Sequence, residues 1–215
     1  MKSKLLLAAL AASLIGSAEA TIVLNTQFGT AFNSGGAPVA AGTLYALVID
    51  TDNNSTFAGG FGVNTTLGAV GANSVFTTGQ QLTLGQTLGG DTIFHLGAFD
   101  GAGEGITAEV LSLTLGVNGV LNGRSFAIYW FPGATLANRT VGTQVGGMNS
   151  NLPADGGLDP MIMPADGATV NIGAATADGS GTQPNIRFTA VDLVPEPSAA
   201  LLGLLGAVGL IRRRR

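Results

Sequence analysis

The chain has no cysteine, and only 10% of its 215 residues are charged. Without thiols there is no disulfide framework and no thiolate ligand for zinc. Histidine and tryptophan occur once each, as His95 and Trp130. One imidazole supplies too few nitrogen ligands for zinc. A histidine-based triad also needs an activated serine, and the Gly-x-Ser-x-Gly elbow is absent. His95 therefore reads as a structural residue of a strand over Thr92–Ala98, beside Phe94. Both lysines, Lys2 and Lys4, lie at the N-terminus, and four of the seven arginines are the last four residues. Between residues 21 and 194, Arg124, Arg139 and Arg187 stand against nine aspartates and two glutamates, a formal charge of −8. Such a region repels nucleic acid and anionic lipid and accommodates cations. With no lysine there, Schiff-base chemistry and isopeptide cross-links are excluded. Helical 3.6-residue periodicity of useful length and fixed-period repeats are missing too.

What is abundant is glycine, with 34 residues, among threonine, asparagine and serine. Apolar residues come in short runs punctuated by Gly, Asn and Asp, the pattern of strands and turns. Strands are predicted at Thr21–Leu24, Thr43–Asp50, Ser74–Phe76, Gln81–Thr83, Thr92–Ala98, Ala108–Leu115, Ser125–Phe131 and Ile186–Leu193. Leu111, Leu113 and Leu115 alternate with Ser112 and Thr114 in a period of two. Asn118-Gly119 and Asn122-Gly123 are turn signals on either side of Val120-Leu121. Ala134–Gly147 and Ser150–Gly181 read as long loops. About 170 residues suffice for one sizeable core, and strands at this spacing favour an antiparallel β-sandwich or jelly-roll-like domain.

Few residues are candidates for chemistry. Asp50, Asp52 and Asn54 place oxygen donors at alternate positions of a polar loop after Leu44–Ile49, an arrangement that suits calcium. An EF-hand is excluded, because Ser55 stands where its glycine belongs and Phe61 where its bidentate glutamate belongs. Two readings remain: a polar hairpin turn, or a looser calcium loop. No other cofactor is expected. The acidic glycine-rich segments at Asp100–Gly105, Asp155–Asp159, Asp166-Gly167 and Asp178–Gly181 read first as solvated turns. Glycoside hydrolysis needs two carboxyl groups flanking one bond. Glu104 and Glu109 are the only glutamates of the central region, and Glu109 is expected to face solvent. The Phe126–Phe131 run carries Trp130, which fits either a sugar-stacking platform or a core strand. Phe126, Ile128 and Trp130 on one face favour the core. Three Asn-x-Thr sequons (Asn54, Asn64, Asn138) are most simply chance matches in a chain rich in Thr and Asn.

The two ends carry a different kind of information. Met1–Lys4 is cationic, Leu5–Gly16 is apolar, and Ala18 and Ala20 form the small-x-small pattern of a signal-peptidase site. Cleavage after Ala20 makes Thr21 the first mature residue. At the other end stand Val194-Pro195-Glu196-Pro197-Ser198, an apolar run over Ala199–Ile211, and Arg212, Arg213, Arg214 and Arg215. Thirteen helical residues reach roughly 20 Å, short of the roughly 30 Å hydrocarbon core, so a span needs snorkelling arginines or a thinned bilayer. Positive residues stay cytoplasmic, which puts the preceding domain on the far side of the membrane.

This three-part tail resembles the PEP-CTERM sorting signal of Gram-negative, often biofilm-forming bacteria. The resemblance covers about a tenth of the chain. It implies an exosortase-type membrane protease that recognises Pro195, Glu196 and Pro197, so these residues are a substrate motif rather than a catalytic site. The expectation is then a signal peptide over 1–20, an all-β extracytoplasmic domain over 21–193 and a sorting tail over 194–215 with a short apolar helix. The protein is expected to be exported, held transiently at the inner membrane by that helix, and left at the cell surface or outside the cell. A non-enzymatic structural or adhesive role fits best, with extracellular polysaccharide as a partner and no nucleic acid. A carbohydrate-binding module using Trp130 and a surface glycoside hydrolase are the alternatives.

Overall fold

A computed structural model describes residues 20–54, 56–57, 75–100, 107–151, 159–172 and 190–193, and among these the chain is all-β with no helix. The strands are β1 (Thr21–Phe28), β2 (Thr43–Ile49), β3 (Thr87–Leu88), β4 (Asp91–Ala98), β5 (Thr107–Thr114) and β6 (Phe126–Thr135). They continue with β7 (Gln144–Met148), β8 (Ser150–Asn151), β9 (Asp159–Pro160), β10 (Thr169–Ile172) and β11 (Val191–Asp192). A six-stranded sheet runs β11-β7-β6-β2-β4-β3, a three-stranded sheet β10-β1-β5, and β8 pairs with β9. Pairing is antiparallel except between β1 and β10, which run parallel.

The burial of each strand follows from its sequence. In β1 every second residue is buried, Ile22, Leu24, Thr26 and Phe28, as expected of a strand with one face on the core. After Thr43, β2 is an unbroken apolar run, and all seven of its residues are buried, because both faces of the large sheet are covered. One buried cluster collects Ile22, Leu24, Leu111 and Ile172 from the three-stranded sheet with Tyr45, Leu47, Ile128 and Trp130 from the six-stranded sheet. A second cluster lies on the opposite face of the large sheet, around Leu44, Val48, Ile93, Tyr129 and Phe131. It is closed by side chains from connecting segments, among them Phe57, Phe76, Leu82 and Val141. Phe76 meets the rings of Tyr129 and Phe131 at centroid distances of 4.9 and 5.0 Å.

A row of residues crosses the large sheet in register: Gly146 of β7, Trp130 of β6, Tyr45 of β2 and Gly97 of β4. The two large rings extend over the two glycines, and a Cβ at either glycine would collide with the ring beside it. The Trp130 indole N–H donates to the Phe32 carbonyl at 2.9 Å, so its buried polar atom is satisfied.

Several expectations from the sequence need correction. Val75 and Phe76 are loop residues, and Gln81 contributes a single bridge to Thr140 rather than a strand. Ala134–Gly147 and Ser150–Gly181 are not plain loops, since the end of β6, β7 up to Gly147, and all of β8, β9 and β10 lie in them. Their strands are short or glycine-rich, which hides the period-two pattern. The Asn118-Gly119 turn forms as expected, with both residues at positive φ (50° and 77°). Ala18, the sorting motif at Pro195, Glu196 and Pro197, and Arg212–Arg215 lie outside the described residues. So do Glu104, Asp155, Asp178 and the first half of Ile186–Leu193, Ile186–Thr189. Ala20 immediately precedes β1, and its carbonyl accepts a hydrogen bond from the Leu115 N–H at 2.9 Å. No helix among the described residues is long and apolar enough to cross a membrane.

Candidate functional site

The residues after β2 form the first candidate. β2 and β4 run antiparallel with Ile49 opposite Thr92, so the next residue on one strand and the previous one on the other, Asp50 and Asp91, come together at the sheet end. The chain then turns at Thr51–Asn54, with Asn53 at φ 58°, and brings Asp52 back. Oxygens of Asp50, Asp52 and Asp91 lie within 4.8 Å of one another. Asp50 and Asp91 are buried, and Asp52 is exposed. The Asp52 carboxylate occupies the space over Gly90 that a Cβ would fill, and the Thr51 hydroxyl donates to the Gly90 carbonyl. The β3–β4 turn is thereby tied to the Asp50 loop.

Asn54 is engaged within the loop itself. Its backbone N–H donates to Asp50 Oδ1 at 3.2 Å and Asp52 Oδ1 at 3.1 Å. Its side-chain Nδ2 donates to Asp52 Oδ2 at 2.8 Å, and its Oδ1 accepts from the Thr56 N–H at 2.7 Å and from the Thr56 hydroxyl. Asn54 thus holds the loop in shape, and the third carboxylate beside Asp50 and Asp52 is Asp91. Sequence spacing missed Asp91 because it is adjacent only through strand pairing across some forty residues. Three carboxylate oxygens at this separation would supply part of the six to eight oxygen ligands that calcium takes.

The second candidate joins the two sheets. At the β2–β4 pairing the register slips between Leu47 and Val48, whose partners are His95 and Ile93, leaving Phe94 as an extra residue. The bulge lets both Phe94 and His95 reach the inter-sheet side, where strict alternation would send one of them away. There the Tyr45 hydroxyl donates to Glu109 Oε2 in a short hydrogen bond, and His95 Nε2 lies 3.1 Å from the same oxygen. Tyr45 Oη and His95 Nε2 are 3.4 Å apart. Glu109 therefore turns inward from β5, contrary to the solvent-facing position expected of it, although its side chain keeps 40% exposure. Burial pushes the His95 pKa down, and the Glu109 charge and hydrogen bond only partly offset this. At neutral pH the His95–Glu109 contact is thus a hydrogen bond of a neutral ring, with Nε2 carrying the proton because a carboxylate only accepts. Tyr45 is fully buried, so the group acts as a polar tie between sheets and presents no hydroxyl to a substrate.

Trp130 settles one of the open readings. It is fully buried with Phe126 and Ile128 in the inter-sheet cluster, so the core strand holds and no exposed indole platform exists. Compared with protein-family models, with curated proteins and with solved structures, the chain shows no match.

Proposed function

We propose that this is an exported, non-enzymatic protein of the cell surface or extracellular matrix, delivered by a PEP-CTERM-type tail, whose all-β region is a β-sandwich with structural or adhesive work. The observation that carries the reading is the ordered series at the C-terminus: Pro195-Glu196-Pro197, the apolar run Ala199–Ile211, and Arg212–Arg215. The N-terminal small-x-small site agrees with it, and β1 begins at Thr21, the residue that cleavage after Ala20 would leave first. Two sheets sharing one apolar cluster support the sandwich. Within this reading Asp50, Asp52 and Asp91 hold calcium, which stiffens the end of the large sheet. Partners are signal peptidase, an exosortase-type protease and extracellular polysaccharide.

The test is the intact mass and location of the protein in its own cells. A surface species that starts at Thr21 and lacks Arg212–Arg215 is expected, and any mass beyond that of the chain identifies what the sorting step attaches. A full-length C-terminus retained in the membrane would mean that the tail is a simple anchor.

A further inference from the structure

A cleft of about 370 Å³ opens beside the inter-sheet tie, between β4 and the edge strand β5. That volume is near the lower end of small-ligand sites, roughly 300–1,000 Å³. Its wall carries His95 and Ser112, and the Asn118 turn closes one side. Leu84 and Val117 also line it, 52% and 51% exposed, so two large apolar side chains of the cleft stand partly in water. The segment 82–85 is held there by hydrogen bonds from the Leu82 N–H to the Arg139 carbonyl (2.9 Å) and from the Gly85 N–H to the Ile93 carbonyl (2.8 Å).

Arg139 also lines the cleft. The Leu136 carbonyl accepts from its Nε at 3.1 Å, and it forms no ion pair among the described residues. In a region with a formal charge of −8, an arginine lining a cleft is a local feature that favours an anion. Glu109, hydrogen-bonded to His95, is not part of the wall. Hydroxyl and amide groups from Ser112 and Asn118 suit a ligand with hydroxyls, and Leu84 and Val117 suit the apolar faces of a sugar ring.

We propose that this cleft binds an acidic sugar, a uronic acid residue of an extracellular polysaccharide, with Arg139 taking the carboxylate. The proposal rests on the matrix reading above and supplies a binding site that the buried Trp130 does not. Arginine meets a carboxylate with a two-pronged, charge-assisted hydrogen bond, whereas a neutral sugar offers it only hydroxyls.

The probes are cellobiouronic acid and cellobiose, which differ by one carboxylate, titrated into the protein isolated from its cells and followed by calorimetry. The acid disaccharide should bind about tenfold or more tighter than the neutral one. Arg139→Asn should remove that preference. Asparagine tolerates the positive φ of 46° at this position, so the fold should survive. Leu84→Asp, on an exposed side chain, should weaken the acid sugar through repulsion while leaving the melting temperature unchanged. Equal binding of the two sugars, no binding of the acid sugar, or indifference to Arg139→Asn would overturn the cleft. Retention of the protein on its native polysaccharide separates the two ideas. Undiminished retention of Arg139→Asn leaves the matrix reading standing and sinks the cleft. Tight binding of cellobiouronic acid without such retention keeps the cleft and sinks the matrix reading.

Discussion

The indole of Trp130 lies over Gly146, its in-register neighbour on the next strand, in space that any Cβ would take. Gly146→Ala forces either the indole or the strand to move in a fully buried cluster. Overpacking of this kind costs roughly 1–3 kcal/mol. Trp130 is the only tryptophan, so denaturant unfolding followed by its fluorescence reports the loss directly. Gly146→Ala should lower the midpoint and shift the native emission. An unchanged midpoint would mean that the ring does not lie against this glycine.

How much of this was legible beforehand depended on the range of the interaction. The runs Leu44–Ile49 and Phe126–Phe131 announce themselves because an apolar run between polar turns has few other uses. The same pattern placed Phe126, Ile128 and Trp130 together in the core, where they are. Period two places Glu109 on the inward face of Leu111 and Leu113, its charge argues for solvent, and position wins because Tyr45 and His95 offer it hydrogen bonds there. Asp91 was invisible as a site residue, since its neighbours Asp50 and Asp52 come from another strand. Phe76 has the apolar character of a strand residue but serves as a plug from a loop. The parallel partner β10 is only four residues long, and nothing local marks its direction.

The inter-sheet tie predicts a pH response. Burial holds the His95 pKa below its ordinary value of 6.5. Below pH 6.5 the unfolded chain takes up a proton that the folded chain refuses, so its tie is fully favourable above that pH and weakens as pH falls toward the folded value. One proton of difference bounds the slope at about 1.4 kcal/mol per pH unit. Urea midpoints of wild type should therefore fall between pH 7 and 5 more steeply than those of His95→Gln. Parallel curves for the two proteins would show that His95 is as easily protonated in the fold as outside it. Glu109→Gln is a separate probe, and it should lower stability at neutral pH by removing the charged acceptor of two hydrogen bonds, at about 1–3 kcal/mol.

On the other face of the large sheet, burial first and the nearby Asp91 charge second raise the Tyr129 pKa well above 10. The folded state keeps this proton while the unfolded state gives it up, so stability falls as pH climbs past 10. Phenolate absorbance from Tyr129 should appear together with loss of the native Trp130 fluorescence, and Tyr129→Phe should move the alkaline unfolding midpoint upward. Phenolate formation at pH 10 in a protein with native fluorescence would contradict the buried position of this ring.

The acidic cluster makes the sharpest demand. Asp50, Asp52 and Asp91 bring three carboxylates within 4.8 Å, two of them buried, in a region whose arginines are few. Like charges at this distance repel, and a divalent cation turns the repulsion into coordination. Calcium at a hundredfold excess over its Kd should add about 2.7 kcal/mol, which is roughly 5–10 °C in Tm for a domain of this size. The melting temperature should therefore be higher in calcium than in EDTA. Asp52→Asn, at the exposed member, should reduce the calcium response. Asn54→Ala discriminates between the ligand role its spacing suggested and the loop-shaping role its hydrogen bonds show. If Asn54 shapes the loop, its loss lowers Tm in EDTA as well as in calcium; if it were a ligand, only the calcium curve would move. Superimposable curves in calcium and EDTA for the wild type would end the metal reading and leave the Asp50 loop as a hydrogen-bonded turn.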